Sequence, residues 1–526
     1  MKIDTFDTDK KGRSIYNLGG VGIGSTAAPV VRTATVVVAA SDASAESKAQ
    51  ADYVCDGTDD QVEIQAAIDS LPSGGVIKLS EGLFTCSGTI SFAGKTNIWL
   101  KGAGRGTKIQ TVNNLGSQGI VNVWAPASDI KISDLFLDIN GTQTNYGISI
   151  RGNSDAPPGV ERILVSNVWI KDADDDGVEI INSARDVSVI NSFFIGTFSD
   201  SPLEVGDGSC NVLILGNHIN ATSNEGIGVN SHSAIGTSPG RIVISNNFIS
   251  YSVGGGMGAI AIGGGVSFSD IVIVNNIIDS TPDDGICIQF FSDVPYISRL
   301  IIQGNDVYNV GRYGIYVRYG DGVIVEGNSV YSSANRGIYI RDSNYVIVSD
   351  NYVTDSEDAG IAIYETSYVT VSNNLAEGGP SGYGGLTFYG NVANALVSNN
   401  IFTNNDSGIL FHSSAIVDTT IIEANNLTGN TYAWRPMSGA TLISLRVRNN
   451  EGYTTENSGT ATITSGNTSV DVTHGLADTP TRVQLTPTTD TAGKRYWVSA
   501  KGSTTFTITI DSSHTADISF DWRAEI

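Results

Sequence analysis

The chain has 526 residues, 60 of them glycine, and a formal charge of −24 from 30 Lys and Arg against 54 Asp and Glu. That length exceeds one ordinary domain and suits an elongated domain with small additions, while 16% charged residues and a mean hydropathy of zero exclude a disordered chain. So acidic a surface argues against non-specific binding to nucleic acid or anionic membranes, and it disfavours a dense polyanion as substrate unless a local basic groove exists.

Residues 1–50 are rich in Gly, Ala and Ser and read as an extended arm or linker with one strand at ATVVVAA. The polar opening MKIDTFDTDKKGRSIYN has no signal-peptide apolar core, and no run approaches membrane-spanning length. Residues 58–71 read as a helix. Thr58 and Gln61 fit a capping box, Ile64, Ala67, Ile68 and Leu71 fall on one apolar face, and Pro72 with the following SGG stops it. The next run, VIKLSEGLF, alternates as a strand. Cys55, Cys86, Cys210 and Cys287 have no zinc spacing and read as buried free thiols, Cys55 and Cys86 being the one pair to check.

From about residue 129 the chain repeats itself. LIIQGNDVYNVGRYGIYVRYGD and VIVEGNSVYSSANRGIYIRDSN are successive copies of one unit: an alternating strand, an Asn, a short strand, a variable turn, then Gly-Ile-x-Ile. Asn305, Asn328, Asn351 and Asn374 follow one another at intervals of 23 residues, and the series extends back through Asn276, Asn247, Asn217 and Asn167 and forward to Asn400 and Asn426. A fixed period of this length means stacked repeats. Period-two alternation with β-branched residues excludes helical repeats, and there is no leucine ladder. Three short strands per unit fit a single-stranded right-handed parallel β-helix, whose inward Ile and Val stack at the strand spacing of roughly 4.8 Å. Asn at a corner tolerates left-handed backbone and bonds its neighbour in the next coil. The open first coil needs a cover, and the amphipathic helix stands where a lid must be. The fold class is therefore all-β: residues 51–430 form the β-helix with its capping helix, 431–458 a cap or linker, and 459–526, with six short strands, a C-terminal antiparallel β-sandwich.

The run YVCDGTDDQVEIQAAIDSLPSGGVIKLSEGLF, the Asn series and the Gly-Ile-x-Ile strands together resemble the pectate-lyase-like β-helix superfamily, most closely its phage tailspike-type polysaccharide depolymerases. The resemblance covers about residues 50–430 and is specific for fold, not for reaction, because that superfamily holds lyases, hydrolases, epimerases and inactive binders. It implies a polysaccharide partner, a homotrimer, a virion-tail or extracellular setting, and attachment to other tail proteins through the N-terminal arm. The C-terminal strands resemble tail-protein modules that trimerise or bind receptor. The epimerase-type motif begins at Tyr146-Gly147 and then departs, and the polygalacturonase-type signatures are missing.

Alternation makes the x of each Gly-Ile-x-Ile strand an outward position. The resulting stripe carries Glu179 and Glu204 on successive coils, about 5 Å apart at Cβ. Two carboxylates that close raise one pKa and supply an acid and a base or nucleophile for glycoside hydrolysis, with Asp207 or Asp176 as wider-spaced partners. A second group on the stripe, Tyr316, Arg318, Tyr339 and Arg341, offers stacking faces and paired donors for sugar, or the chemistry of β-elimination on a uronate. Asn230, Gln289 and the loop residue His232 complete the substrate-binding candidates. Asp172, Asp174, Asp176 and Gly177 start like an EF-hand loop, but the twelfth position is Ser183 and no helices flank it. No cofactor is required; a calcium ion held differently in that acidic turn is the one alternative. The leading reading is a depolymerase that hydrolyses a bacterial surface or exopolysaccharide. The rivals are a polysaccharide lyase and a non-catalytic carbohydrate-binding adhesin.

Overall fold

The computed structural model describes residues 34–153, 159–231, 239–251, 256–290 and 296–526. Its unit is a coil of three short extended strands, each ladder in parallel register with the coils on either side. Asp284–Gln289 pairs with Gly258–Gly264 and with Ile315–Arg318. Ile297–Gln303 pairs with Phe268–Val274 and Gly320–Glu326, and Asp306–Val310 with Ile277–Asp279 and Ser329–Ser333. Repetition of these pairings builds a parallel β-solenoid of about 14 turns. We number its faces as first, second and third sheets, the first holding the Gly-Ile-x-Ile strands.

The three sheets enclose a dry core. Ile286, Ile288, Leu300, Ile302, Val307 and Val310 point inward and are at most 2% exposed, and equivalent residues above and below continue each column. Each such side chain contributes about 1.5–3 kcal/mol when fully buried.

One corner is held by an asparagine ladder. Asn305 N and Nδ2 both donate to Asn328 Oδ1, at 3.0 and 2.9 Å, and Asn328 repeats this toward Asn351. The rungs run from Asn217 through Asn247, Asn276, Asn305, Asn328, Asn351, Asn374, Asn400 and Asn425 to Asn450. Three expectations change here. The rung is Asn425, not Asn426. Asn167 stands one residue ahead of its rung, and Ser192 fills the place before Asn217, its Oγ accepting from Val168 N. Left-handed backbone belongs to the residue preceding each rung, such as Asn275, Gly304, Gly327 or Asp350. That residue makes the bend, which leaves the rung free to align its amide along the stack.

The solenoid starts earlier and ends later than the sequence pattern suggests. Thr35–Ala39, placed in the arm by composition, pairs in parallel with Gly75–Leu79. A short helix, Ala45–Ala49, follows. Tyr432–Pro436, Thr441–Ile443 and Arg446–Arg448, in the segment read as a cap or linker, still pair in parallel with the preceding coil. The main helix spans Gln61–Asp69, and its Ile64, Ala67 and Ile68 are fully buried in the solenoid core. The expected capping box is absent: Thr58 Oγ1 donates to Asp56, and Gln61 reaches across to Ser87. Buried Asp60 ties the helix start to the stack instead, accepting from Gly57 N and Thr85 N at 2.9 and 2.7 Å.

Beyond the solenoid lie two antiparallel three-stranded sheets, Glu456–Ile463 with Ile518–Glu525 and Arg482–Pro487, and Ser469–Thr473 with Thr505–Ile510 and Tyr496–Lys501. Phe506, Ile508, Phe520 and Trp522 form one apolar cluster shared by both. All four cysteines are free thiols; burial pushes Cys86 up to about 12. Among the described residues no helix is long and apolar enough to cross a membrane.

Candidate active site

The x positions of the first sheet are in the register the repeat implies. Ser149 lies opposite Glu179, Glu179 opposite Glu204, Glu204 opposite Gly228, Cys287 opposite Tyr316, and Tyr316 opposite Tyr339. Their exposure is not what alternation implies. Ser149, Glu179, Glu204, Cys287, Tyr316 and Tyr339 are all buried, at most 5% exposed. The segment entering each strand folds back over the outer face. The corner glycines bind it there coil to coil: Gly147 N donates to Asp176 O, Gly285 N to Tyr313 O, and Gly314 N to Arg336 O. The residue ahead of each corner glycine is thereby laid over the x stripe. The stripe is covered, not an open surface: Tyr313 packs on Tyr316 and Tyr339, Arg336 on Tyr339, and Glu225 over Gly228.

In the acidic part of the stripe the floor residues are Glu179, Glu204 and Gly228, and the segments entering the strands supply Asp175, Asp176, Asp200, Ser201 and Glu225. Glu179 is fully engaged. Arg151 Nε donates to its Oε2 at 2.7 Å and Nη2 to its Oε1 at 3.2 Å, and Ser149 Oγ donates to Oε2 at 2.9 Å. Glu204 and Glu225 have no such clamp. A methyl placed on the Cα of Gly228 would lie 2.1 Å from Glu204 Oε2, 2.8 Å from Ser201 Oγ and 3.0 Å from Glu225 Oε2. The two carboxylates, from successive coils, thus converge over the one floor residue without a side chain, with those oxygens at most about 5 Å apart. Glu204 Oε1, Glu225 Oε2 and Ser201 Oγ are buried without a hydrogen-bond partner among the described residues. Asn230 Nδ2 lies 3.5 Å from Glu204 Oε2, which brings this sequence-predicted residue to the pair.

The electrostatics follow from burial and like charge. Burial, with the Asp176 and Glu225 charges next, holds Glu204 well above the ordinary carboxylate range. Burial with Asp200 nearby raises Glu225 to about 7. Burial with Asp175 and Asp200 raises Asp176. Farther along, burial raises Asp284 to about 6 against the opposing pull of Arg312, 3.4 Å away. Near neutral pH this cluster therefore offers both a protonated and an ionised carboxyl at one place, the requirement for paired acid and base work.

Asp207 stands at the opposite end of the strand Leu203–Gly206, half-buried in a left-handed corner with φ of 47°. It is thus on the far side of Glu204 from Asp176. Asp172 Oδ1 accepts from Thr197 N at 2.9 Å and its other oxygen meets Lys171 at 3.0 Å, so the EF-like set is not assembled. The carboxylates of that turn that do come together are Asp175 and Asp176 with Asp200, whose oxygens lie within 4.8 Å of one another.

The aromatic group is also covered. Tyr316 and Tyr339 stack at 5.1 Å and 16°, each 4% exposed, within a second apolar cluster with Cys287, Ala359, Ala362 and Tyr389. Arg336 closes over Tyr339 and Tyr389 at 4.3 and 4.7 Å. These rings are packed, and do not present free faces to a sugar. Arg318 and Arg341, half-buried, both donate to Asp342 Oδ2, at 2.9 and 3.1 Å. Gln289 is half-buried beside Cys287. His232 lies outside the described residues.

Glu225, Ser201 and Asp200 were missed by sequence reasoning because inward–outward alternation was applied within strands and does not carry across a corner. A usable signal existed: Asp176, Glu225, Asp284, Tyr313 and Arg336 each immediately precede a corner Gly. Read as a column, those positions name the cover of the stripe.

A family model described as a right handed beta helix region matches residues 296–468. A search of curated proteins finds no match. Among solved structures, the chain is similar to the pre-mature gene product 12 of bacteriophage phi29, at 18% identity over 73% of this chain and 55% of that one, with a TM-score of 0.52. It is similar to a variant tailspike of E. coli bacteriophage HK620 in complex with pentasaccharide, at 13% identity, 88% and 89% coverage and a TM-score of 0.48. It is also similar to the A-module of the Azotobacter vinelandii mannuronan C-5 epimerase AlgE6, at 18% identity, 75% and 96% coverage and a TM-score of 0.39. The strand topology, the family-model match over residues 296–468 and the likeness to gene product 12 define a right-handed parallel β-helix fold.

Proposed function

We propose that the chain is a carbohydrate-active β-helix of tailspike type that hydrolyses a glycosidic bond with Glu204 and Glu225. The observation that carries this reading is the convergence of those two unclamped, pKa-raised carboxyls over Gly228. One, protonated, donates to the leaving oxygen while the other, ionised, attacks the anomeric carbon or stabilises its positive charge; water, giving its proton back to the first, then bonds that carbon and frees the second. Their closeness suits the retaining geometry, in which carboxyls stand roughly 5–5.5 Å apart. Burial, with the Asp176 and Glu225 carboxyls beside it, keeps Glu204 protonated, and Asn230 orients it. Glu179, clamped by Arg151, holds the floor in shape. Asp175, Asp176 and Asp200 are the residues that would hold a calcium ion, which would add positive charge beside the acid pair.

β-Elimination has less support, because Tyr316 and Tyr339 are packed and Arg318 and Arg341 share Asp342. The acidic cluster suits a neutral glycan better than a uronate polymer. In this reading the Gln61–Asp69 helix caps the solenoid and the two C-terminal sheets form a sandwich module for trimerisation or receptor binding. The chain works as a homotrimer on a virion tail or outside cells, joined to other tail proteins through its N-terminal arm.

The test is to incubate the protein with a panel of bacterial polysaccharides and follow new reducing ends together with ultraviolet absorbance from a new C=C bond. Reducing ends without absorbance, lost in Glu204→Gln and in Glu225→Gln, support hydrolysis. Absorbance with the reducing ends means a lyase, and binding without either product means an adhesin.

A further inference from the structure

The second sheet carries a column of residues in left-handed backbone near the start of its strands, and their side chains pair from coil to coil. Arg162 meets Asp129, Asn211 meets Asp186, and Arg299 meets Asp270 through two bonds of 2.5 and 2.8 Å. The next three members are Gly322, Tyr345 and Tyr368, with φ of 73°, 53° and 55°. A bulky aromatic rarely adopts this conformation, so two successive tyrosines here hold their rings out at a cost in strain.

The two rings stack at 4.9 Å and 10°, yet Tyr345 and Tyr368 are 60% and 52% exposed. Near-parallel rings one coil apart at this distance overlap face to face with an offset. One face of Tyr345 is therefore taken by Tyr368. The other is turned to the coil of Gly322, where the column has no side chain: a Cβ built there would meet nothing closer than Arg299 N at 3.8 Å. Asp270 draws the Arg299 guanidinium toward the coil before. The result is a slot one coil wide, with an aromatic face as one wall. Beside it opens a cavity of about 420 Å³ lined by Asp321 and Asn344, which precede Gly322 and Tyr345, together with Tyr296, Tyr319, Asp342 and Glu365.

We propose that this slot is a second saccharide-binding subsite, separate from the acid pair, in which a pyranose lays its C–H face on Tyr345 while its hydroxyls reach the carboxylates and amide of the cavity. An aromatic face beside several acceptors at one depth matches the two sides of a sugar ring and suits neither a purely apolar ligand nor an anion. The subsite rests on the glycan reading above. It would hold the polymer on the second sheet while the acid pair on the first sheet cleaves it.

The probe is a set of methyl pyranosides (gluco, galacto, manno and N-acetylglucosamine) at millimolar concentration, read by saturation-transfer difference NMR on the full chain. The expected result is transfer to the sugar C–H protons that Tyr345→Ala and, separately, Gly322→Asn each weaken at least about fivefold, whereas Glu204→Gln leaves it unchanged. Asn tolerates positive φ, so Gly322→Asn fills the slot without unfolding the coil. Transfer that survives both slot variants overturns the subsite. Transfer lost only in Glu204→Gln also overturns it, while leaving the glycan reading in place. No transfer from any glycoside overturns the subsite; if the polysaccharide panel is then also neither bound nor cut, the glycan reading falls with it.

Discussion

Arg151 holds both carboxylate oxygens of Glu179, Nε to Oε2 at 2.7 Å and Nη2 to Oε1 at 3.2 Å, one coil apart on the first sheet. The Glu179 side chain is 7% exposed and that of Arg151 23%. A pair this far from water is costly to halve, because the survivor keeps its desolvation penalty. Glu179→Gln is therefore expected to lower unfolding free energy by about 2 kcal/mol, discounted for the partly exposed arginine, and to leave most of the turnover. Chemical denaturation and initial rates on the same preparation check this. If the variant were as stable as the parent and inactive, Glu179 would belong to the chemistry instead.

The acid cluster makes stability depend on pH in the direction opposite to ordinary acid unfolding. Glu225 has its pKa raised to about 7 in the folded chain from 4.5. Between those values only the folded state holds the proton, so this group favours folding at low pH and its contribution is lost as pH rises through 7. Over that interval the loss is about 3 kcal/mol. Glu225→Gln mimics the protonated acid. It should match the parent near pH 4.5 and exceed it at pH 8, which a series of urea midpoints across pH will show. A constant difference between the two proteins across that range would mean that Glu225 titrates normally.

Gly228 is the floor under the acid pair, and a methyl there would stand 2.1 Å from Glu204 Oε2. Gly228→Ala must displace Glu204, and the flexible carboxylate can swing aside cheaply. The expected outcome is a fall in kcat of at least about a hundredfold, with a loss of stability under about 1 kcal/mol. An unchanged kcat would place the chemistry elsewhere on the solenoid.

How far the residues alone reach is clear from two columns. The asparagine rungs and the x stripe were legible, because both lie where period-two alternation and a regular repeat operate, and the stripe was in true register even at Glu204, where the corner glycine is replaced by Pro202. Exposure was not legible. It depends on the segment before each corner, whose length varies and whose fold over the strand leaves no periodic trace. Hence Tyr316 and Tyr339 looked like a sugar platform and are core, while Tyr345 and Tyr368, outward residues beside inward Val346 and Val369 on the second sheet, lie outside the Gly-Ile-x-Ile stripe.

The last expectation concerns the ladder that sets the stack. Asn328 Oδ1 accepts from Asn305 N and Nδ2, and its own amide donates to Ile302 O and Asn351 Oδ1 at 3.0 and 2.9 Å. It is 1% exposed, so no water replaces these bonds. Asn328→Ala strands one backbone donor, one amide proton and the Ile302 O acceptor, while Asn351 Oδ1 keeps its bond from the backbone N of residue 328; each group left unmet costs about 1–3 kcal/mol. Neighbouring coils relax by sharing bonds, and a net cost of about 3–5 kcal/mol remains. Asn328→Asp keeps the acceptor but buries a charge beside acceptor carbonyls, so it should be worse than Ala at pH 8 and recover toward it on acidification. Because each coil touches only its neighbours, hydrogen exchange should report the damage in the coils around residue 328 and leave the C-terminal sheets as they were. Uniform exchange along the chain would instead mean that the stack unfolds as a single unit.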